Sequence, residues 1–495
     1  PIGAEVVQHA ARRSDYTLTF AVLLVSVSAY SLLQSLVLPV LPTIQHALHT
    51  SENTVTWVLT AYLLSASVAT PIIGRIGDMT GKKRMLVLTL ATLAFGSVLS
   101  AVATSIAVMI VARVIQGVGG AVLPLAFGII RDESPREKVS SGISIAAALL
   151  AVGGGAGIVL AGPIVGVLNY HWLFWIPAIV VAAAAAAALV VVPESPSRGR
   201  GHIALGPAVL LSGWLVALIV AVSEGQLWGW GSGRTLGLIV LAVVLAVAWV
   251  TLELRAPLPL IDMRMMRLPS VWTTNLVALL FGAALYSAIG FLPEFLQTSP
   301  SAGYGFGASV TASGLFLLPM TVTMFFTGLL SAPLTTRFGS KVVVLTGSLA
   351  TVAPFALLTF AHHQKLEIYV SSALLGVGLG FVFAAMSNII VESVPANQVG
   401  VASGMNANIR TIGGSIGAAV MGSIVTSEVG AGGLPTNSSY TAGFAFLTVA
   451  AVLATAACLI IPGTRRDERG FLASAGVVEH AETGMVAGAG LVDGE

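Results

Sequence analysis

Runs of about 20 predominantly apolar residues recur along this chain, each long enough to cross the hydrocarbon core of a bilayer as a helix. They fall near residues 17–40, 55–76, 85–104, 107–130, 139–167, 172–193, 204–223 and 235–253, then near 270–298, 309–333, 342–361, 367–390, 400–426 and 441–462. The charged residues gather in the short links between runs. The pattern predicts an all-α integral membrane protein of fourteen transmembrane helices. An even number of crossings puts both termini on one side, and the basic residues say which. With the amino terminus inside, the inner segments hold every one of the 23 Lys and Arg except Arg234 and Lys365, in outer loops, and Arg113 and Arg410, within runs. Basic loops resist translocation, so both ends are expected in the cytoplasm.

An internal repeat appears at an offset of about 260 residues, as parallel-repeat transporters show. Gly81 matches Gly339, Gly117-Val118-Gly119 matches Gly376-Val377-Gly378, and Ile129-Ile130 matches Ile389-Ile390. Gly153-Gly154 matches Gly413-Gly414, and Gly162 with Ile164-Val165 matches Gly422 with Ile424-Val425. Six runs per repeat leave two over as a hairpin. The expected organisation is a cytoplasmic segment 1–16, a six-helix bundle 17–193 and an inserted hairpin 204–253. A linker 254–269, a second, pseudo-symmetric six-helix bundle 270–462 and a tail 463–495 complete it. The linker carries Asp262, Arg264 and Arg267 on an amphipathic pattern and is expected to lie along the inner membrane face. The tail is polar, acidic and glycine-rich, and disorder is expected there.

Composition narrows the function. The chain is 56% hydrophobic and 9% charged, with a mean hydropathy of +0.94, against about 25% charged for soluble domains. One cysteine, Cys458, in an apolar run, gives neither a disulfide framework nor a metal cluster. Histidines such as His46, His49, His171, His362 and His363 sit in loops or near run ends, with no H-x-x-x-H box, so a membrane-embedded enzyme has no visible site. No G-x-x-x-x-G-K-[ST] loop is present to use ATP, a channel would want a repeated filter ring, and nothing supports nucleic-acid binding. No cofactor is expected. The chain starts at Pro1 rather than Met, for which a trimmed start is the expectation, and the first run is long enough to stay in the bilayer without a cleavable signal.

The link Gly74-Arg75-Ile76-Gly77-Asp78-Met79-Thr80-Gly81-Lys82-Lys83-Arg84 is a dense patch of charge and glycine between two apolar runs. It resembles the loop between helices 2 and 3 of the major facilitator superfamily. Arg113-Val114-Ile115-Gln116-Gly117 looks like that superfamily's buried-arginine motif. Gly153-Gly154-Gly155, Gly157, Gly162-Pro163 and Gly166 resemble the glycine–proline motif of its antiporters. His171-Trp172-Leu173-Phe174-Trp175-Ile176-Pro177, and Ala402-Ser403-Gly404 with Asn408, Arg410 and Gly413-Gly414, add to the likeness. Over roughly residues 15–462 the chain resembles the fourteen-helix drug–proton antiporters of bacteria, actinobacterial members especially. The resemblance implies a monomer in the bacterial plasma membrane that exports lipophilic or cationic small molecules against proton entry. An exporter of an endogenous lipid or secondary metabolite, or a carrier without proton coupling, is the alternative. In one place the sequence departs from that family, whose first helix usually carries an aspartate: Leu32-Leu33-Gln34-Ser35-Leu36-Val37-Leu38-Pro39 has Gln34 and no acid.

Proton coupling needs a group that binds and releases a proton within the membrane. Glu294, in Phe291-Leu292-Pro293-Glu294-Phe295, is the first candidate, because intramembrane carboxylates are costly and usually line a cavity. The bland alternative is a solvated acid at the outer mouth of the ninth run. Arg113, deep in the fourth run, is the second candidate, with Gln34 or an approaching carboxylate as partner; a structural arginine holding backbone carbonyls is the alternative. Gln34, Trp57, Gln116, Met320, Met324, Phe325 and Arg410 are expected around a greasy cavity, although Met and aromatic residues in spans more often pack or face lipid. Gating is assigned to Gly74, Gly77, Asp78, Gly81, Arg84, Arg131, Asp132, Gly157, Gly162 and Pro163. Asp78 is expected to latch onto the amino-terminal amides of the run at 400–426, where the helix dipole favours an anion, or to pair with Arg84 or Arg131.

Overall fold

The computed structural model describes residues 2–50, 52–194, 205–256, 259, 261–395, 398–428, 430 and 434–462. The first half comprises α1 (Ile2–Leu36), α2 (Leu41–Ala47), α3 (Glu52–Thr80), α4 (Lys82–Ala101), α5 (Ile106–Gly117), α6 (Val122–Glu133), α7 (Arg136–Val167) and α8 (Trp172–Val191). The hairpin is α9 (Leu205–Trp228) and α10 (Gly233–Arg255), followed by the short α11 (Met263–Met266). The second half is α12 (Pro269–Gln297), α13 (Val310–Phe338), α14 (Ser340–Phe360), α15 (Lys365–Ser393), α16 (Val399–Val425) and α17 (Asn437–Leu459). In lipid every backbone group must be satisfied within its segment, so the apolar runs become helices. Capping side chains set several starts: Ser105 accepts from the Val108 amide at 3.4 Å, Ser309 from Ala312 at 3.1 Å and Thr436 from Ser439 at 3.3 Å.

Among the described residues, thirteen helices are long and apolar enough to cross a membrane. The predicted crossing at 400–426 is present as α16, but it falls outside those thirteen, with Asn406, Asn408 and Arg410 along its length. Both asparagines are met by protein. Asn406 Nδ2 donates to Asn275 Oδ1 at 2.9 Å, and Asn408 Nδ2 donates to the Ser67 carbonyl. Such a helix can cross only inside a bundle.

Several expected boundaries shift. The backbone of α1 is helical from Ile2, so residues before 17 are not set apart from the first crossing. The predicted run at 107–130 is broken into α5 and α6 by a 3-10 turn at Val118–Ala121. In the described part of the linker Ile261, Met263 and Met265 are buried while Arg264 and Arg267 are exposed, and the Ile261 amide donates to Glu253 Oε1 at 3.4 Å. The tail at 463–495 lies outside the described residues.

The duplication is visible in how helices touch. A Cβ on Gly117 would meet α3 at Ser65 and Tyr62, as one on Gly376 would meet α13 at Met320 and Thr323. Gly153 lies against α1 at Ser28, as Gly413 lies against α12 at Leu279. Gly81 and Gly339 stand at the same link of each half, both at positive φ, +122° and +86°. Small residues let membrane helices approach to backbone distance, and the repeated glycines mark the same approaches twice. The two halves meet along α7 and α13 on one flank and along α3 and α16 on the other. The α9–α10 hairpin joins through α9, which packs on α3 and α16, while Trp230 Nε1 donates to Ser423 Oγ at 3.2 Å. Large apolar side chains such as Val190, Leu349 and Phe360 point outward, as lipid-facing residues must.

Candidate functional site: a cavity between the halves

Between the halves lies a cavity of about 110 Å³, to which α1 contributes Tyr30 and Gln34, α3 Tyr62 and α12 Tyr286. Phe383 of α15 and Arg410 and Asn408 of α16 close it from the second half. Gly120, in the 3-10 turn that interrupts the fourth crossing, also lines it, so the break falls at cavity level. Arg410 Cζ stands 4.8 Å from the Phe383 ring centroid, a cation–π arrangement. A cleft enclosing a drug-sized ligand runs from about 300 Å³ upward, so this cavity is a partly closed one.

Behind Tyr62 lies a polar relay. Arg113 is fully buried, its Cζ 4.3 Å from the Tyr62 ring centroid. Its Nε donates to the Val58 carbonyl at 2.9 Å and its NH1 to Gln116 Oε1 at 2.7 Å. Gln116 Nε2 in turn donates to Ser97 Oγ at 3.0 Å. Arg113 thus ties α5 to α3 through a backbone carbonyl, with Tyr62 between it and the cavity; Gln34 is not its partner. Gln116 is turned toward α4 and does not line the cavity.

One end of the cavity, on the side of the Gly81 link, is shut by contacts across the halves. The Val401 amide donates to Asp78 Oδ2 at 3.2 Å, at the start of α16, where the helix amides are unpaired. Gly74 and Gly400 touch there: a Cβ on Gly74 would lie 2.6 Å from the Gly400 oxygen. Arg131 NH1 donates to the Val391 carbonyl, and to that of Val394 at 2.6 Å, so a first-half guanidinium caps the end of α15. Asn388 Nδ2 donates to Ser144 Oγ at 3.0 Å a turn further in.

The partner expected for Asp78 is different. Lys82, fully buried, lies 3.6 Å from Asp78 Oδ1 and 2.7 Å from Asp132 Oδ2, so neither Arg84 nor Arg131 holds Asp78. Arg84 instead reaches out to Glu194 Oε2 at 3.5 Å, its side chain 74% exposed. Glu194 Oε1 also accepts from the Lys83 amide at 3.2 Å, and any Cβ on Gly81 would collide with that carboxylate. Sequence reasoning overlooked Lys82 and Glu194. Lys82, four residues past Asp78 across the turn at Gly81, was a readable signal for the first; nothing local pointed to the second, 111 residues away. Gly77 packs against Leu125, while Gly157 and Gly162 bring α7 onto Ser35 and Thr311, with Pro163 inside the same helix.

The other expected residues lie elsewhere. Glu294 is exposed in the last turn of α12. It is eight residues beyond Tyr286, roughly 12 Å along the axis, and does not line the cavity. Its neighbours are Tyr304 and Tyr440. Tyr304 lies outside the membrane crossings; burial pushes its phenol up and the Glu294 charge adds to this. The expectation of a mid-membrane acid is therefore corrected: Pro293-Glu294 falls at the helix end because α12 runs to Gln297 from a start at Pro269. Met320 and Met324 are buried in the core of the second half, and Phe325 sits edge-on to Phe326. Trp57 is half-buried near the start of α3. None of these four lines the cavity; Gln34 and Arg410 do.

Two like helical bundles meeting about a midplane cavity are the architecture of a membrane transporter. The family model for the Major Facilitator Superfamily matches residues 23–297 and 274–487, and the chain belongs to that superfamily, one of transporters rather than enzymes. It is 30% identical over 393 residues to a tetracenomycin C resistance and export protein of Streptomyces glaucescens, which covers 79% of this chain and 72% of the relative. It is 27% identical over 379 residues to the multidrug transporter protein MdtP of Bacillus subtilis, with 76% and 69% covered. The multidrug resistance protein Stp of Mycobacterium tuberculosis is 28% identical over 394 residues, with 79% and 72% covered. The crystal structure of the human organic anion transporter MFSD10 superposes with a TM-score of 0.65 over 91% of this chain and 99% of the other; at 17% identity this speaks to the fold alone.

Proposed function

We propose that the protein is a secondary exporter of lipophilic small molecules that works by alternating access as a monomer in the bacterial plasma membrane, with both termini in the cytoplasm. One observation carries the reading: both halves line a cavity, and contacts on the Gly81-link side bar it there. Asp78 on the Val401 amide and Arg131 on the Val391 and Val394 carbonyls are the bars. All five groups are backbone or single side chains at or near helix termini, so a small rotation of one half breaks the contacts together and opens the other side. The glycine contacts of α7 on α1 and α13 give the pivot, since small residues slide where large ones interlock. The basic links on the Gly81 side support a cytoplasmic position for it. Export as the direction, and drug-like compounds as cargo, are supported by the activities for which the relatives are named.

Proton entry drives the cycle in this proposal, with Glu294 as the acid that meets protons from outside. At the far end of α12 it acts on the outer mouth rather than by touching cargo. Reconstituted in liposomes with a pH gradient, the wild type should acidify the lumen in step with cargo movement, and Glu294→Gln should abolish that coupling. Equal proton flux in the variant removes Glu294 from the mechanism; transport that persists with the gradient collapsed removes antiport altogether.

A further inference from the structure

The charge of the cavity says which cargo it suits. Of its lining residues Arg410 alone carries a full charge, and no carboxylate is among them. Among the described residues Arg410 makes no ion pair, and its guanidinium lies over Phe383. The second cation, Arg113, stands behind Tyr62 and is held by a carbonyl and an amide oxygen, so no acid neutralises it either. The Tyr30 phenol lies within electrostatic reach of both arginines and of Tyr62 and Tyr286, which places the five groups in one cluster. A site walled by low-dielectric helices strengthens any uncompensated charge. A cationic guest would enter against two positive charges. An anion would find a planar fork of donors, weakly hydrated and ready to hold a carboxylate or enolate in two bonds. Tyr30, Tyr62, Tyr286 and Phe383 supply flat faces, which favour a planar ring system over a flexible chain.

We propose that this cavity selects planar aromatic compounds bearing an acidic group, with Arg410 as the anion-pairing residue and the tyrosines as the stacking wall. The inference rests on the cavity being the cargo site of the exporter proposed above. It narrows the expected lipophilic or cationic range to acidic aromatics and sets the cations aside.

Three probes with one ring system test it: pyrenebutyrate, the neutral pyrenebutanol and a pyrenebutyl trimethylammonium salt. Binding to the purified full chain in detergent is read by fluorescence titration, with Ala407→Trp, which fills the cavity, as the blocked control. The wild type should bind the anion at least tenfold tighter than the cation, with the neutral probe between them. Arg410→Gln should bring the three together, and Arg410→Lys should keep part of the preference without the fork. Thr411→Asp leaves Arg410 in place but puts a carboxylate in the wall, and should reverse the order; it serves if Arg410→Gln does not fold. A wild type that holds the cation as tightly as the anion, or a preference untouched by both Arg410→Gln and Thr411→Asp, overturns the proposal. If the neutral probe is blocked by Ala407→Trp while charge makes no difference, the cargo site survives and only this inference falls. If Ala407→Trp changes nothing for any probe, both fall.

Discussion

A single methyl group at the closed end of the cavity should shift the conformational balance. Gly74 meets Gly400 with no room for a side chain: a Cβ at 74 would lie 2.6 Å from the Gly400 oxygen and 2.8 Å from its carbonyl carbon. Both are backbone atoms of α16, so no side chain can swing away. Restoring an ordinary contact of about 3.4 Å needs the helices to part by nearly an ångström, and overpacking of this kind costs about 1–3 kcal/mol. The neighbouring bond from the Val401 amide to Asp78 is already at 3.2 Å, and the same displacement breaks it. The cost falls only on the state in which α3 and α16 touch. At 1.4 kcal/mol per tenfold, Gly74→Ala should move the closed-to-open ratio by about 5- to 100-fold. Spin labels at Thr80→Cys on α3 and Thr336→Cys on α13, both exposed, report the gap between the halves; native Cys458 is buried and stays silent. The Ala variant should populate a longer distance and turn over more slowly. An unchanged distance distribution would refute the argument that this contact bars the cytoplasmic side.

Two neighbouring cations should respond very differently to removal. Lys82→Met leaves the buried Asp78 and Asp132 without their shared cation and should cost roughly 3–5 kcal/mol, read as a large fall in melting temperature or in folded yield. Arg84→Ala removes a pair whose arginine is 74% exposed and should change stability by about 0.5 kcal/mol or less. Arg113→Met orphans Gln116 Oε1, at about 1–3 kcal/mol, while the Val58 carbonyl loses one bond but keeps its helical one. The relief of a desolvated charge offsets part of this, so a moderate loss of thermal stability is expected, together with weaker anion binding in the pyrene titration. Gly282→Val should fail to assemble, since even a Cβ there meets the Arg410 backbone; recovery of a normal monodisperse yield would contradict the tight α12–α16 packing.

The apolar runs alone determined that the chain crosses a membrane many times, because a bilayer admits little besides helices and demands about 20 apolar residues of each. The repeat of glycines at a fixed offset determined that the crossings form two like halves, since close helix approach requires small residues at the same places twice. The Gly81 link, Asp78 at the amides of α16 and the arginines within runs were legible for the same reason: charge in a membrane is rare enough to stand out. What only the tertiary structure decided is which charges meet and which face the centre. Glu294 reads as mid-membrane in a linear count, yet the true end of α12 lies three residues away, and depth in a bundle is a property of helix ends and tilts. Met320 and Met324 are as apolar as any cavity wall, but rotation about the α13 axis turns them into the core. Lys82 reads as a solvated loop residue and is fully buried, because Gly128, beside its stem, leaves it space. The sign of the cavity, finally, depends on which side chains of seven separate helices converge, and convergence is not written along one dimension.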